Sequence, residues 1–301
     1  MSAITETAEK LYTNIHQTKD EDIILDAITS NNLQNRVSIA QYYRTTYGTS
    51  LFDDIKSNFD KDFGYCAALM FLSPLEFCIY HLKLGIKNKN ECTMEMLTSK
   101  TTEELRIIAD TYKKDTGKDL KKDIQDAYKG AIGKNLLNLF TTPRVNNPKP
   151  KKQDCEKYAT ILSQTEPKNW VEDENIFKEI FLQRSPEELI LIARYFLKIT
   201  GNNLIDIVDK KTKSKNQMLL REILYNNIMP HELFSEKINN AIKGAGTDEE
   251  KLSRVLVARC ELDMPAIREM YQAKYKVAMK DDIFGDTSGS YQKLCLYLCE
   301  K

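Results

Sequence analysis

The sequence predicts an all-α protein built from four copies of one helical unit. Three observations carry this expectation. Apolar residues recur three and four apart, and no strand-like alternation of useful length occurs. One pattern returns four times along the chain. Helix-start signals stand at matching places in two of the copies. The chain has 301 residues, enough for one large domain or two to four small ones, and its 42% apolar content supports a core.

The first copy runs from Ser30 to Tyr43 and continues through Gly48, Leu51 and Ile55. The second runs from Ser99 to Tyr112, then Gly117, Leu120 and Ile124. The third runs from Gln183 to Phe196, then Gly201, Leu204 and Val208. The fourth runs from Ala258 to Tyr271, then Met279 and Ile283. Successive copies are offset by 69, 84 and 75 residues. The longest interval holds residues 141–153, where three prolines and four basic residues mark a stiff linker. The expected boundaries are therefore 1–75, 76–142, a linker at 143–154, 155–229 and 230–301.

Each copy reads as about four or five short helices. Ser185, Pro186 and Glu188 supply an N-cap, a proline at the first helical position and the acid of a capping box. Thr101 and Glu104 repeat the box without proline. In the last copy Phe234, Ile238 and Ile242 fall on one stripe, and Leu252, Val255 and Leu256 on another. Tyr291, Leu294, Cys295 and Leu298 make a third. The apolar stretch from Tyr65 to Leu84 is interrupted by Ser73, Pro74, Glu76 and His81, so it reads as two core helices and not as a membrane span.

Composition excludes several function classes. Lys plus Arg equals Asp plus Glu, so no global field draws the chain to nucleic acid, and an acidic partner needs a local patch or a bound cation. The seven cysteines show no CxxC spacing and mostly lie in apolar helical patterns, which reads as reduced core residues of an intracellular protein. His16, His81 and His231 do not join cysteines at zinc-ligand spacing. No apolar segment follows the first Met, so no secretory signal is expected. No GxSxG, HExxH or P-loop occurs, and an enzyme is not expected.

The chemistry concentrates in Ile242-Lys243-Gly244-Ala245-Gly246-Thr247-Asp248-Glu249-Glu250, answered by Gly285-Asp286-Thr287-Ser288-Gly289. Two glycines free a loop to turn its carbonyls inward, and a lone carboxylate about forty residues later closes the ring. Such an all-oxygen set suits a hard cation such as Ca²⁺, with positions left for a second ligand. Thr247 reads as the N-cap of the next helix, with Glu250 completing Thr-x-x-Glu. Asp248 and Glu249 disfavour a directly bound phosphate at that helix start. Taken alone, the loop also reads as a plain glycine connector between helices.

Four repeats of about seventy residues, a long linker after the second, and Lys-Gly-Ala-Gly-Thr-Asp answered by Gly-Asp-Thr-Ser-Gly resemble the annexins over nearly the whole chain, most strongly from His231 to Glu300. The short head and degraded early loops resemble the divergent protist branch that includes the alpha-giardins. The resemblance implies five helices per repeat, four repeats forming a curved disc, and calcium loops on its convex face that bind acidic phospholipid. It implies that the carbonyls of Ile242, Gly244 and Gly246 and the carboxylate of Asp286 hold Ca²⁺, water and a lipid phosphate oxygen completing the shell. The other loops depart from the pattern. His16, Gln17 and Thr18 occupy the glycine positions of the first, and Asn58 replaces its carboxylate. The second keeps Gly85 with Asp126 close to the carboxylate position, a half-site. The third has no glycine in 168–172, and Lys211 replaces the acid. Trp170 has two readings, a loop-tip aromatic touching lipid or a packing residue. Lys149, Lys151 and Lys152 read either as an anionic or cytoskeletal contact or as a solvated linker.

The expectation is calcium-dependent binding to acidic phospholipid membranes, calcium and lipid each raising affinity for the other. With one carboxylate, calcium alone should bind weakly. The rival expectation is a cytoskeleton-associated, microtubule-linked scaffold with little calcium or lipid dependence, motivated by three degraded loops and zero net charge. Expected partners are the membrane surface, a microtubule or cytoskeletal protein, and further copies of the chain on membranes, but no nucleic acid. The expected location is cytoplasmic, peripheral to membranes and cytoskeletal.

Overall fold

The computed structural model describes residues 2–145, 149–211, 214–244 and 246–301, with the side chain of Lys211 excepted. Among them there is no strand. The first copy supplies helices Ala3–Thr13, Glu21–Thr29, Leu33–Tyr47, Leu51–Asn58 and Lys61–Leu69. The second supplies Pro74–Asn88, Cys92–Thr98, Thr102–Thr116, Leu120–Ala127 and Ala131–Asn138. The fourth supplies Pro230–Ile242, Glu249–Arg259, Met264–Tyr275, Met279–Asp286 and Gly289–Glu300. In the third, Lys152–Gln164, Pro186–Thr200, Leu204–Lys211 and Lys215–Ile228 are regular. Its second position is broken into Asn169–Glu172, Glu174–Ile176 and a π-helical Phe177–Leu182.

Local chemistry explains these limits. Thr101 and Ser185 make the reciprocal capping boxes with Glu104 and Glu188, and Pro186 sits in the first turn. Helices Leu33–Tyr47, Thr102–Thr116 and Pro186–Thr200 end at a left-handed glycine, Gly48, Gly117 or Gly201, whereas Met264–Tyr275 ends at Lys276 with φ 64°. One device recurs between copies. Tyr43, Tyr112 and Tyr271 each donate a hydroxyl proton to the carboxylate eleven residues on, Asp54, Asp123 and Asp282, at 2.8, 2.8 and 2.7 Å. The third copy has Phe196 instead, and its Asp209 accepts from Tyr225 at 2.7 Å and Arg221 at 2.7 Å.

The helices gather into two compact units, Met1–Phe77 with His231–Lys301 and Cys78–Pro230. The units therefore do not follow chain order, since the first unites the first and last copies. There Lys61–Leu69 packs against Glu249–Arg259 and Gly289–Glu300, and Phe63, Cys66, Ala67, Ala68 and Leu69 are buried. Arg36 is buried beside them. Its Nε donates to Met70 O at 2.8 Å and its Nη2 to Glu261 Oε2 at 3.0 Å, while Lys301 Nζ reaches Glu261 Oε1 at 2.5 Å. Although burial works against it, these donors hold the Glu261 carboxyl below its ordinary range. In the second unit Cys92–Thr98 and Ala131–Asn138 pack on Lys215–Ile228, and Lys152–Gln164 packs on Pro186–Thr200. The expected linker splits there. Arg144 donates to Phe181 O at 3.0 Å and to Arg184 O, Val145 N donates to Gln183 O at 2.7 Å, and a helix starts at Lys152. Asn146, Asn147 and Pro148 lie outside the described residues.

None of the seven cysteines is in a disulfide, and all are buried. Burial pushes Cys78 and Cys260 up to about 11 and Cys299 up to about 12, so these sulfurs are thiols at neutral pH. Trp170 is 1% exposed, its Nε1 donates to Thr165 O at 3.1 Å, and its ring packs on Phe181 and Phe196. The packing reading holds and the lipid-touching one does not, because the 169–172 helix turns the indole inward. Phe234 is half-buried under the Arg259 guanidinium, and Leu233 takes the core position instead. Among the described residues no helix is long and apolar enough to cross a membrane.

Candidate metal centre

The Pro230–Ile242 helix ends at the glycine loop, with Ala241 and Ile242 buried in its last turn. Asp248 N donates to Ala241 O at 2.7 Å, which brings Asp248 back onto the helix end. Gly244 has φ 131° and Gly246 φ 112°, conformations that L side chains rarely adopt. A Cβ at either position would meet nothing within 4 Å, so conformation and not space demands glycine. Ala245 lies outside the described residues.

Asp286 arrives from the other side, at the end of the Met279–Asp286 helix. Thr247 Oγ1 lies 2.6 Å from Asp286 Oδ2 and 2.9 Å from Asp286 O. One hydroxyl thus fastens the distal carboxylate to the loop across 39 residues of sequence. This corrects the expected Thr247 cap. Asp248 is the N-cap of Glu249–Arg259, accepting from Lys251 N at 3.0 Å, and Glu250 closes no box with Thr247. Asp248 can cap because it lies immediately before the helix, which releases Thr247 for Asp286.

Three further contacts brace the corner. Tyr291 OH donates to Glu249 O at 3.2 Å and lies 3.0 Å from Ser253 Oγ, joining the two helices that follow the loop and the carboxylate. Gln292 Nε2 donates to Thr287 O at 2.5 Å and Phe284 O at 2.8 Å. Lys243 Nζ lies 3.2 Å from Asp282 Oδ2, the carboxylate that also takes the Tyr271 hydroxyl. Burial, then that hydrogen bond, raises the Tyr271 phenol well above its ordinary value, so it remains a donor. Thr247, Tyr291 and Asp282 were not picked out from sequence as parts of the site. The Tyr-to-acid spacing of eleven residues, shared by three copies, was a legible signal for Asp282, whereas nothing local marked Thr247 as a clamp.

Thr247 thus brings Asp286 up to the loop that carries Ile242, Gly244 and Gly246. Among the described residues no three His, Cys, Asp or Glu side chains gather as a metal cluster. A cation here would rest on carbonyl oxygens plus one carboxylate, donors that suit a hard ion. The chemistry therefore fits Ca²⁺.

The other copies use the corresponding residues differently. In the first, Asn14–Thr18 is π-helical, His16 Nε2 lies 3.8 Å from Asp54 Oδ2, and Asn58 Nδ2 donates to Asp54 O at 2.9 Å. In the second, Gly85 lies inside the Pro74–Asn88 helix, and its carbonyl accepts from Asn90 N at 3.1 Å and Tyr128 OH at 3.2 Å. A Cβ on Gly85 would stand 2.6 Å from Thr93 N, so this glycine serves close packing. Asp126 pairs with Lys129 at 3.3 Å. Gly85 therefore serves packing, while Asp126 remains exposed. In the third, 169–172 is helical, and the Lys211 side chain lies outside the described residues.

An annexin family model matches residues 81–139 and 234–298. Annexin A5 of Mus musculus is 30% identical over 283 residues, which cover 93% of this chain and 89% of the relative. The solved structure of chicken annexin V in complex with Zn²⁺ superposes with a TM-score of 0.89 at 28% identity, covering 99% of this chain and 95% of that one. The calcium-bound structure of alpha-14 giardin superposes at 0.81 with 17% identity over 99% of this chain and 100% of that one, a likeness of fold. With 30% identity to annexin A5 over nearly the whole of both chains, this chain belongs to the annexin family.

Proposed function

We propose that this annexin binds acidic phospholipid surfaces through Ca²⁺ held in its fourth repeat by the carbonyls of Ile242, Gly244 and Gly246 and the carboxylate of Asp286. Calcium-dependent phospholipid binding is the general property of the family, and the alpha-14 giardin of the same fold was solved with calcium bound. The observation that carries the residue-level reading is the Thr247 hydroxyl seated between loop and carboxylate, 2.6 Å from Asp286 Oδ2. It presents Asp286 to the loop before any ion arrives, which reduces the ordering cost of binding. The positive φ of Gly244 and Gly246 supports turned carbonyls on the opposite side. When bound, Ca²⁺ supplies a bridge from these oxygens to a lipid phosphate. The protein's role is binding rather than catalysis, and its attachment to membranes is peripheral.

Sedimentation with anionic vesicles tests this. The chain should pellet with calcium and remain in the supernatant with chelator, and Asp286→Ala should abolish pelleting. Equal pelleting with chelator, or undiminished pelleting of Asp286→Ala, would sink the reading. The commitment of Gly85 to packing and of Asp126 to Lys129 gives the scaffold reading its support. Co-pelleting with microtubules irrespective of calcium would establish that function instead.

A further inference from the structure

Phe284 stands in the last turn of the helix that delivers Asp286, and it is 60% exposed. Lys280 and Asp281 of that helix are exposed too, while its remaining side chains are engaged. Met279 and Ile283 are buried, Asp282 takes Tyr271 and Lys243, and Asp286 takes Thr247. A single exposed apolar side chain is ordinary on a protein surface. What sets this ring apart is its place, two residues before the metal carboxylate on a backbone held fixed. Phe284 O accepts from Gln292 Nε2 at 2.8 Å, and Thr287 Oγ1 donates to Ile283 O at 2.6 Å. The stub that carries the ring is therefore as well fixed as the carboxylate.

We propose that Phe284 is a membrane-contacting residue whose ring enters the headgroup–acyl boundary of an anionic phospholipid bilayer when the adjoining site grips a lipid phosphate. This rests on the calcium reading above. Aromatic rings partition favourably to that boundary, and an ion bridge to the phosphate places a neighbouring ring at its depth. Continuity with the metal site selects the bilayer as occupant. The ring supplies what the bridge lacks, an apolar contribution that salt does not screen.

The test uses the full chain with vesicles of mixed phosphatidylserine and phosphatidylcholine. Trp170 is the sole tryptophan and is buried, so its emission is a constant background. In Phe284→Trp, emission should shift to the blue on adding calcium and vesicles, and brominated acyl chains should quench it. Phe284→Ala should melt close to the unaltered temperature, because most of the ring is exposed, and should partition about five- to tenfold more weakly at saturating calcium. Unshifted, unquenched emission from Phe284→Trp that nevertheless pellets with calcium would overturn the proposal and leave the calcium reading standing. Undiminished partition of Phe284→Ala would do the same. Failure of the unaltered chain to pellet with calcium would remove both.

Discussion

At Thr247 two duties compete. A threonine two residues before a helix can turn its hydroxyl toward the free N–H groups of the first turn, or it can reach elsewhere. Asp248 takes the first duty, and the Thr247 hydroxyl goes to Asp286. Removing that hydroxyl while keeping the shape isolates its contribution. Thr247→Val should fold normally and raise the calcium midpoint for vesicle binding about five- to tenfold, the consequence of losing roughly 1 to 1.5 kcal/mol of hydrogen bonding. Thr247→Ser keeps the donor and should stay near the unaltered midpoint. A calcium titration of pelleting measures both, and an unchanged midpoint in Thr247→Val would remove the preorganising role. Sequence alone could not assign this partner, since a cap and a clamp use the same residue and differ only in what the fold places opposite it.

At the scale of the element, two glycines read alike in sequence do different work. Gly85 and Gly246 both sit where a calcium loop is expected. Gly85 lies within a helix and is pressed against Thr93, whereas Gly246 turns at φ 112° in open space. Gly85→Ala should therefore lower stability by about 1 to 3 kcal/mol through overpacking and leave the calcium midpoint unmoved. Gly246→Ala should raise the calcium midpoint, because a Cβ disfavours the turned backbone. Thermal melts paired with calcium titrations distinguish them, and any result in which Gly85→Ala loses calcium response without losing stability would restore the half-site. The helices themselves were more legible than the loops. The capping boxes at Thr101 and Ser185 and the stripes through Leu252 and Leu294 depend on neighbours within one or two turns, which sequence displays. Trp170 was undecided for the opposite reason, because its burial depends on where the 169–172 helix turns it.

For the whole molecule, repetition made the architecture readable, and divergence among the repeats decides how many ions it holds. The order of the copies was visible in the chain, but the union of first and last in one compact unit was not. Contacts such as Arg36 to Glu261 join residues that no local pattern links. In the first copy the corresponding segment is π-helical, in the second Gly85 O accepts from Tyr128, and in the third a short helix buries Trp170. On the proposed reading one carboxylate-answered loop acts, so the gain from several sites on one surface is largely lost within a single chain. Equilibrium dialysis with anionic vesicles should accordingly count about one Ca²⁺ per chain and none for Asp286→Ala, with a midpoint in the upper micromolar to millimolar range set by the single carboxylate. Three or four ions per chain would show that the early repeats coordinate calcium through other ligands. One ion that survives Asp286→Ala would move the site away from the fourth repeat.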